Sequence, residues 1–366
     1  MANKIGILTW HYYGNFGSGL QAFALQKTIE DLGYDVRLIN YRNSLYDNRC
    51  WWKILAKYIL RCTICRISKS LHDKYVSNTE IYQARYLKQT RRFIKPELLY
   101  KFIDGYSCVV YGSDQIWAPN VYTPIYMGAY VPNEIKKISY AASIGLNEIP
   151  DNLTEIYRQN LSSYYAVAVR EDEGQRLLKS RCGIDATVVL DPTLMIDVTT
   201  YKEMLRPVDN VKSKYIFCYF LNREHNYKEN VIEYAKVHNL HIVGISDKHS
   251  DSEWMQRLTN IGADQFLWLI NNAETIFTDS YHGSIFSLIF HKNLWIFTRF
   301  AEDSPICQNS RIRQLQNNFN LSHRIIAAGQ AINDSKTIDY NYFEERLATL
   351  RKASLLFLKK VLEEIC

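Results

Sequence analysis

Apolar strand-like runs alternate with amphipathic helical segments along this chain, and that alternation constrains the fold more than any other feature. It begins with an apolar run at 4–10, continues with apolar residues at helical spacing over 20–33, and reaches a second apolar run at 34–41. A strand-helix-strand unit of this length pairs its strands in parallel and belongs to a layered sheet with helices on its faces. The sequence therefore predicts the α/β class.

The pattern restarts after Asp191-Pro192, so two α/β halves are predicted. A length of 366 residues also exceeds what one ordinary core accommodates. We expect an N-terminal Rossmann-like domain over 1–195, a C-terminal one over 196–335, and a closing helix over 336–366. With the helix packing across both halves and a ligand cleft between them, this architecture resembles that of GT-B glycosyltransferases.

Composition and charge argue against several classes of protein. Hydrophobic residues make up 47% of the chain and charged residues 22%, as in globular proteins. A net charge of +6 suits an anionic small substrate or a membrane surface and falls short of a nucleic-acid-binding signature. We find neither a signal peptide nor an apolar run of ~18 residues that would span a membrane. A cytoplasmic location is expected.

Two familiar ligand motifs are incomplete. Cys62 and Cys65 form a CxxC without a second pair or a histidine at zinc-ligand spacing, so no metal site is predicted. The first loop has the order GxxGxG rather than the GxGxxG of dinucleotide-binding proteins. It still precedes a helix N-terminus, where free N–H groups favour an anion or a sugar hydroxyl. Alternatively, the glycines of this loop serve only to form a tight turn. If the loop binds a ligand, the candidate contacts are Asn15, Gly17 and Ser18.

The stretch IFTDSYHGSIFSLIF places polar residues where a buried strand gives way to a buried helix. Asp279 or Ser280 is expected to cap the helix, and His282 then lies in its first turn at the ligand-binding edge of the sheet. A histidine there can transfer protons near neutral pH. A capped helix with a structurally satisfied histidine remains open. Two further candidates for ligand contacts are Gly283 and Ser284.

Six segments occur in one order along the chain: GILTWHYYGNFGSGLQAFALQ, VVYGSDQIWAP, KKISYAASIG, AVAVREDEG, VVLDPTLM and FTDSYHGSIFSLIF. In this series the chain resembles the polysaccharide pyruvyl transferase family over about residues 5–320. The resemblance implies a GT-B-like fold in a bacterial or fungal enzyme. It also implies transfer of a pyruvyl group from phosphoenolpyruvate to two hydroxyls of a sugar as a ketal, in surface-polysaccharide biosynthesis. Phosphoenolpyruvate is then a co-substrate, and no cofactor is expected.

The resemblance also suggests roles for individual residues. His282 would deliver a proton to the methylene carbon of phosphoenolpyruvate, with Asp279 orienting it. Asp114, at the end of an apolar strand, would belong to the cleft, where it either accepts from a sugar hydroxyl or caps the next helix. The donor's phosphate and carboxylate need cations and N–H groups. The candidates for these contacts are Arg170, Arg311, Arg313 and the helix N-terminus at Ser280–Ser284.

Two points leave alternatives open. For Arg170, a structural ion pair with Glu171 or Glu173 competes with donor binding. Some family members carry Arg-Leu where this chain has Ser280-Tyr281, so one cation near the donor is missing or supplied from elsewhere. The rival functions are a GT-B glycosyltransferase using a nucleotide sugar and a catalytically silent carbohydrate-binding relative.

A basic, tryptophan-containing stretch at Trp51–Lys69 has five cationic and no acidic residues. Basic amphipathic helices of this kind lie in membrane interfaces. The stretch suggests peripheral contact with the inner face of the cytoplasmic membrane, where a lipid-linked oligosaccharide acceptor would be met. An ordinary helix with a solvated basic face is the alternative.

Overall fold

The computed structural model describes residues 4–12, 14–42, 77–222, 227–301, 304, 307–327 and 329–366. The basic stretch at Trp51–Lys69 lies outside these residues. Within them, no helix has both the length and the apolar character needed to cross a membrane.

The N-terminal half is a parallel sheet covered by helices. Its strands, in chain order, are β1 (Lys4–Leu8), β2 (Asp35–Leu38), β3 (Cys108–Tyr111), β4 (Lys136–Ser139), β5 (Ala168–Val169) and β6 (Thr187–Val188). Four of them are ordered β2-β1-β3-β4, and β5 pairs with β6. Single parallel bridges join the region of β4 to that of β5 and place residues 89–93 beyond β2. The half therefore follows the doubly wound order of Rossmann-like sheets.

The helices of this half are α1 (Phe16–Asp31), α2 (Asn78–Tyr86), α3 (Asp151–Leu161), α4 (Asp172–Leu177) and α5 (Val198–Glu203). The helix α1 begins four residues before the periodic apolar pattern at Leu20, because the Asn15 side chain caps it by accepting from the N–H of Gly17.

The C-terminal half repeats the plan. Its strands are β7 (Tyr215–Tyr219), β8 (His241–Ile245), β9 (Gln256–Leu258), β10 (Thr275–Thr278), β11 (Asn293–Phe297) and β12 (Ile325–Ile326). They are all parallel in the order β12-β11-β10-β7-β8-β9, which is the doubly wound order again. Its helices are α6 (Lys228–His238), α7 (Ala263–Asn272), α8 (Tyr281–Ile289) and α9 (Ser310–Phe319).

The last helix, α10 (Tyr340–Ile365), joins the two halves. Near its start, the Tyr340 hydroxyl donates to the Lys292 carbonyl of the C-terminal half. Further along, Ser354 accepts from the Leu190 N–H of the N-terminal half at 2.9 Å. The predicted closing helix and the predicted fold class, two Rossmann-like sheets with a helix across them, are confirmed.

The two sheets direct the carboxyl ends of their central strands toward one another. In each half the strand order reverses between two central strands, β1 and β3 or β7 and β10, which opens a crevice beyond their ends. Phe16 of α1 stacks on Phe266 of α7 with ring centroids 4.7 Å apart, so the halves also meet in an apolar seam. The loops after these four strands surround the space between the halves.

Candidate active site

A pocket lies between the facing strand ends. The N-terminal half contributes Asn15, Asp114 and Gln115 to its lining, and the C-terminal half contributes the segment Asp279–His282. Arg299, Gln308, Asn309 and Arg311 add to its polar wall. Both halves therefore contribute to one site, as the two opposed crevices require.

His282 enters this pocket from the first turn of α8. Ser280 rather than Asp279 caps the helix, because its Oγ accepts from the Gly283 N–H at 3.3 Å. The imidazole is 6% exposed, and its Nε2 lies 3.4 Å from Oδ2 of Asp191. A histidine from one half thus faces a carboxylate from the other.

Asp191 is fixed by a set of contacts that leave it ionised. Its Oδ1 accepts from the Thr193 N–H at 2.9 Å and from the Thr193 hydroxyl at 2.7 Å, while Oδ2 accepts from Arg170 at 2.7 Å. The Ser113 hydroxyl donates to the same Oδ2 at 3.3 Å. Burial alone would raise the pKa of Asp191, but His282, Arg170 and Thr193 together hold it well below its usual range. The carboxylate is a permanent, buried negative charge.

Arg170 lies behind the pocket rather than on its wall. Its guanidinium bonds Asp191, lies 3.7 Å from a carboxylate oxygen of Glu171, and stacks on the Tyr281 ring at 4.6 Å. Glu173 pairs instead with Arg176. At 3% exposure, Arg170 has the ion-pair arrangement that was the alternative to donor binding. Its effect on the site passes through Asp191.

A pair of guanidinium groups, Arg299 and Arg311, provides the positive charge of the pocket. Gln308 holds them together, because its Oε1 accepts from Arg299 at 2.9 Å and from Arg311 at 2.8 Å. Burial and the charges of Arg170 and Arg299 lower the pKa of Arg311 to about 10, which leaves it protonated at neutral pH. Two fixed cations beside a helix N-terminus form a site for a ligand with more than one negative charge.

Asp279 has a different place from the one predicted for it. Its two oxygens accept from the N–H groups of Leu221 and Asn222 at 2.6 and 2.8 Å, which ties the loop after β7 to the end of β10. The carboxylate that lies beside His282 is that of Asp191, whereas both oxygens of Asp279 are engaged with the loop after β7. Asp279 shapes the pocket wall instead.

The first loop approaches the site through the N-terminus of α1. Asn15 lines the pocket, but Ser18 is buried and donates to Asp114 at 2.5 Å. Gly17 packs against the imidazole: a Cβ built on it would lie 2.1 Å from Nδ1 of His282. The structure therefore places Gly17 and Ser18 behind the pocket surface, as supports.

Three other predicted contacts do not line the pocket. A Cβ added to Gly283 would lie 2.6 Å from the hydroxyl oxygen of Thr278. The group that approaches Gly283 closely is therefore part of this chain and not a ligand. Ser284 is buried and donates to the Ser280 carbonyl at 3.0 Å. Arg313 follows Arg311 on α9 but is absent from the pocket lining.

Sequence reasoning missed Asp191, Arg299 and Gln308 as site residues. For the first two a signal existed. Asp191 follows the apolar segment VVL, and Arg299 follows the run LWIFT. Both therefore stand just after the carboxyl end of a predicted parallel strand. Gln308 precedes α9 and carried no comparable signal. Among the described residues, no three or more His, Cys, Asp or Glu side chains are grouped so as to hold a metal ion.

Solved structures with a similar fold include UDP-GlcNAc 2-epimerases. The UDP-GlcNAc 2-epimerase from Neisseria meningitidis, solved with UDP-GlcNAc, is 10% identical with a TM-score of 0.56, and the match covers 99% of this chain and 100% of that one. S. aureus MnaA, solved with UDP, is 12% identical with a TM-score of 0.53, covering 96% and 91%. At this identity the likeness establishes the fold alone, which is GT-B-like. No curated protein matches the sequence.

The sequence itself matches a family model over most of its length. The model is that of the polysaccharide pyruvyl transferases, and the match spans residues 15–299. That range contains His282, Asp191 and Arg299, and it ends just before α9, which supplies Arg311. The chain belongs to the polysaccharide pyruvyl transferase family.

Proposed function

We propose that this protein transfers the pyruvyl group of phosphoenolpyruvate to two hydroxyls of a sugar, forming a ketal. One observation carries the proposal: His282 shares a pocket with the bridged guanidinium pair Arg299 and Arg311. Phosphoenolpyruvate carries a phosphate and a carboxylate on the same carbon. Two cations match those two anions, and a proton donor beside them matches the chemistry that its double bond requires.

The proposed reaction begins with a proton transfer from His282 to the methylene carbon of the donor. The electron pair of the double bond forms the new C–H bond and leaves the adjacent carbon cationic. A sugar hydroxyl adds to that carbon and gives up its proton. Phosphate then leaves with its bonding pair, the second hydroxyl adds in its place, and the proton of that hydroxyl leaves with the phosphate.

The pocket suggests which side binds which substrate. Arg299, Arg311 and the N-terminus of α8 belong to the C-terminal half and would hold the donor anions. Asn15 and Asp114 come from the N-terminal half and offer an amide and a carboxylate to sugar hydroxyls. The donor then lies against the C-terminal sheet and the acceptor against the N-terminal sheet.

The test measures transfer and binding separately. His282→Ala should bind phosphoenolpyruvate but lose roughly 10²–10⁴-fold in transfer rate, the usual contribution of a general acid. Calorimetry with phosphoenolpyruvate and with UDP-GlcNAc distinguishes the rival functions. Binding of UDP-GlcNAc without phosphoenolpyruvate would favour a glycosyltransferase, and binding of neither would favour a silent relative.

The proposal also covers the cellular location of the enzyme and its acceptor. The enzyme would act in bacterial surface-polysaccharide assembly in the cytoplasm, on a lipid-linked acceptor reached through the basic stretch Trp51–Lys69. Cationic residues near an anionic membrane contribute about 1 kcal/mol each. Sedimentation with anionic liposomes that weakens as salt rises would support this, and indifference to lipid charge would contradict it.

A further inference from the structure

We propose that His282 exchanges its proton with substrate through Nδ1, while Asp191 holds the proton on Nε2 and Gly17 leaves the space that Nδ1 needs. This assignment rests on the proposed role of His282 and specifies which atom performs it. It makes Asp191 and Gly17 positioning residues, one on each side of the ring.

The first observation is the enclosure of Nε2. That atom has less than 1 Å² of accessible surface, although the His282 ring lines the pocket. A substrate in the pocket therefore cannot approach Nε2. Of the two ring nitrogens, only Nδ1 is left to meet it.

The second observation concerns the proton on Nε2. Oδ2 of Asp191 lies 3.4 Å from Nε2, an ion-pair distance without the geometry of a hydrogen bond, and this ionised carboxylate favours a proton on the nitrogen that faces it. Thr193 and Arg170 fix that carboxylate from its other sides. A neutral imidazole beside it keeps its hydrogen on Nε2 and its lone pair on Nδ1, and an imidazolium has the additional proton on Nδ1.

The third observation is independent of the carboxylate. A Cβ on Gly17 would lie 2.1 Å from Nδ1 and 2.5 Å from Cγ of His282, closer than any real contact. The first turn of α1 is thus built closely against Nδ1. Any larger residue at position 17 would cover Nδ1 or push the ring off Asp191.

The proton transfers follow from this arrangement. The Nδ1–H bond of the imidazolium breaks as the proton joins the methylene carbon, and the ring is left neutral with its hydrogen on Nε2. Nδ1 then takes the proton that the attacking sugar hydroxyl releases, which restores the imidazolium. Asp191 keeps its charge throughout.

Nitrogen NMR of the whole protein labelled with [¹⁵N]histidine tests the assignment without any substrate. The His282 signals are identified by their loss in His282→Gln. In the wild-type protein the neutral ring should carry its proton on Nε2, and in Asp191→Asn, whose amide can donate to Nε2, the proton should move to Nδ1. A wild-type ring protonated on Nδ1 would overturn the proposal. Because the NMR measurement requires no turnover, a result that contradicts the Nδ1 assignment is distinct from a failure of the proposed function.

Kinetics provide a second test with a matched control. Gly17→Ala should lower kcat about 10²-fold or more, with a much smaller change in the KM for phosphoenolpyruvate. Gly14→Ala lies in the same loop, where an added Cβ meets nothing within 4 Å, and should leave kcat unchanged. Wild-type kcat in Gly17→Ala, or equal losses in both variants, would contradict the role given to Gly17.

Discussion

The guanidinium pair is the main source of donor affinity in the proposed enzyme. We expect Arg299→Ala and Arg311→Ala each to raise the dissociation constant of phosphoenolpyruvate roughly 10- to 150-fold, since hydrogen bonds to charged groups contribute about 1.5–3 kcal/mol. Arg313→Ala is the control, because Arg313 belongs to the same helix but not to the pocket lining. Calorimetry measures all three constants. Equal affinities for Arg311→Ala and Arg313→Ala would move the anion site elsewhere.

His11, buried beside the first loop, makes folding stability depend on pH. Burial, with the charge of Arg42, lowers the pKa of His11 from 6.5 to about 4, although Nδ1 donates to the Thr9 carbonyl at 3.0 Å. The unfolded chain therefore binds the extra proton between pH 6.5 and 4, so the free energy of unfolding falls as pH falls through that window. The loss from this residue is about 3 kcal/mol.

Urea denaturation at several pH values measures that dependence. His11→Gln should flatten the slope between pH 6.5 and 4, whatever its effect on stability at pH 7. His241→Gln, at an exposed position, should leave the slope unchanged. A slope that is the same in His11→Gln and in the wild-type protein would show that His11 is protonated in the folded state.

At the residue scale, the sequence predicted the location of the site but not the partners within it. The position of His282 at the start of a helix follows from a local pattern, the polar stretch after a buried strand. Its pairing with Asp191 joins residues 91 positions apart, through a contact between two sheets. Local patterns contain no information on such a contact, so they favour the nearby Asp279.

At the scale of elements, α10 holds the halves together and its apolar face should dominate its contribution. Leu358 is fully buried in the main core, while Leu356, two residues away, is 65% exposed. Leu358→Ala should lower the free energy of unfolding by about 2–5 kcal/mol, because it leaves a cavity, whereas Leu356→Ala should change it by about 0.5 kcal/mol at most. Urea denaturation compares them. Similar losses in both variants would mean that α10 is not packed as described.

Elements that contain a continuous apolar run are predicted from the sequence, whereas a helix with few apolar residues is harder to recognise. The strands β1, β7 and β11 coincide with their apolar runs to within two residues. The helix α9, with the sequence SRIRQLQNNF, is polar over much of its surface, and its apolar residues are Ile312, Leu315 and Phe319. Its helical form depends on packing against α10, through pairs such as Phe319 with Phe343. The three apolar residues of α9 have helical spacing in the sequence, but the pattern does not show that α10 is the element that covers them.

At the scale of the whole molecule, the two halves form one structure because they share a core. The seam contains the stack of Phe16 on Phe266, and a bidentate ion pair of Arg206 with Asp264 lies beside it. Arg206 also donates to Asn78 of the N-terminal half at 3.0 Å. The repeated strand pattern predicted two halves facing across a cleft. How tightly they meet depends on side chains from both and was not predictable from either.

This shared core leads to a test with two built-in reporters. Cys108 lies in β3 of the N-terminal sheet and Cys218 in β7 of the C-terminal sheet, and both are at most 1% exposed. Each thiol can react only when its own sheet opens. If the halves unfold together, both cysteines should become reactive at the same urea concentration, which pulse labelling and peptide mass spectrometry can measure. Phe266→Ala should lower the free energy of unfolding by about 3–5 kcal/mol. The midpoint urea concentrations of both cysteines should then fall together. Earlier reaction of Cys218 than of Cys108, in either protein, would show that the seam couples the halves too weakly to make them one folding unit.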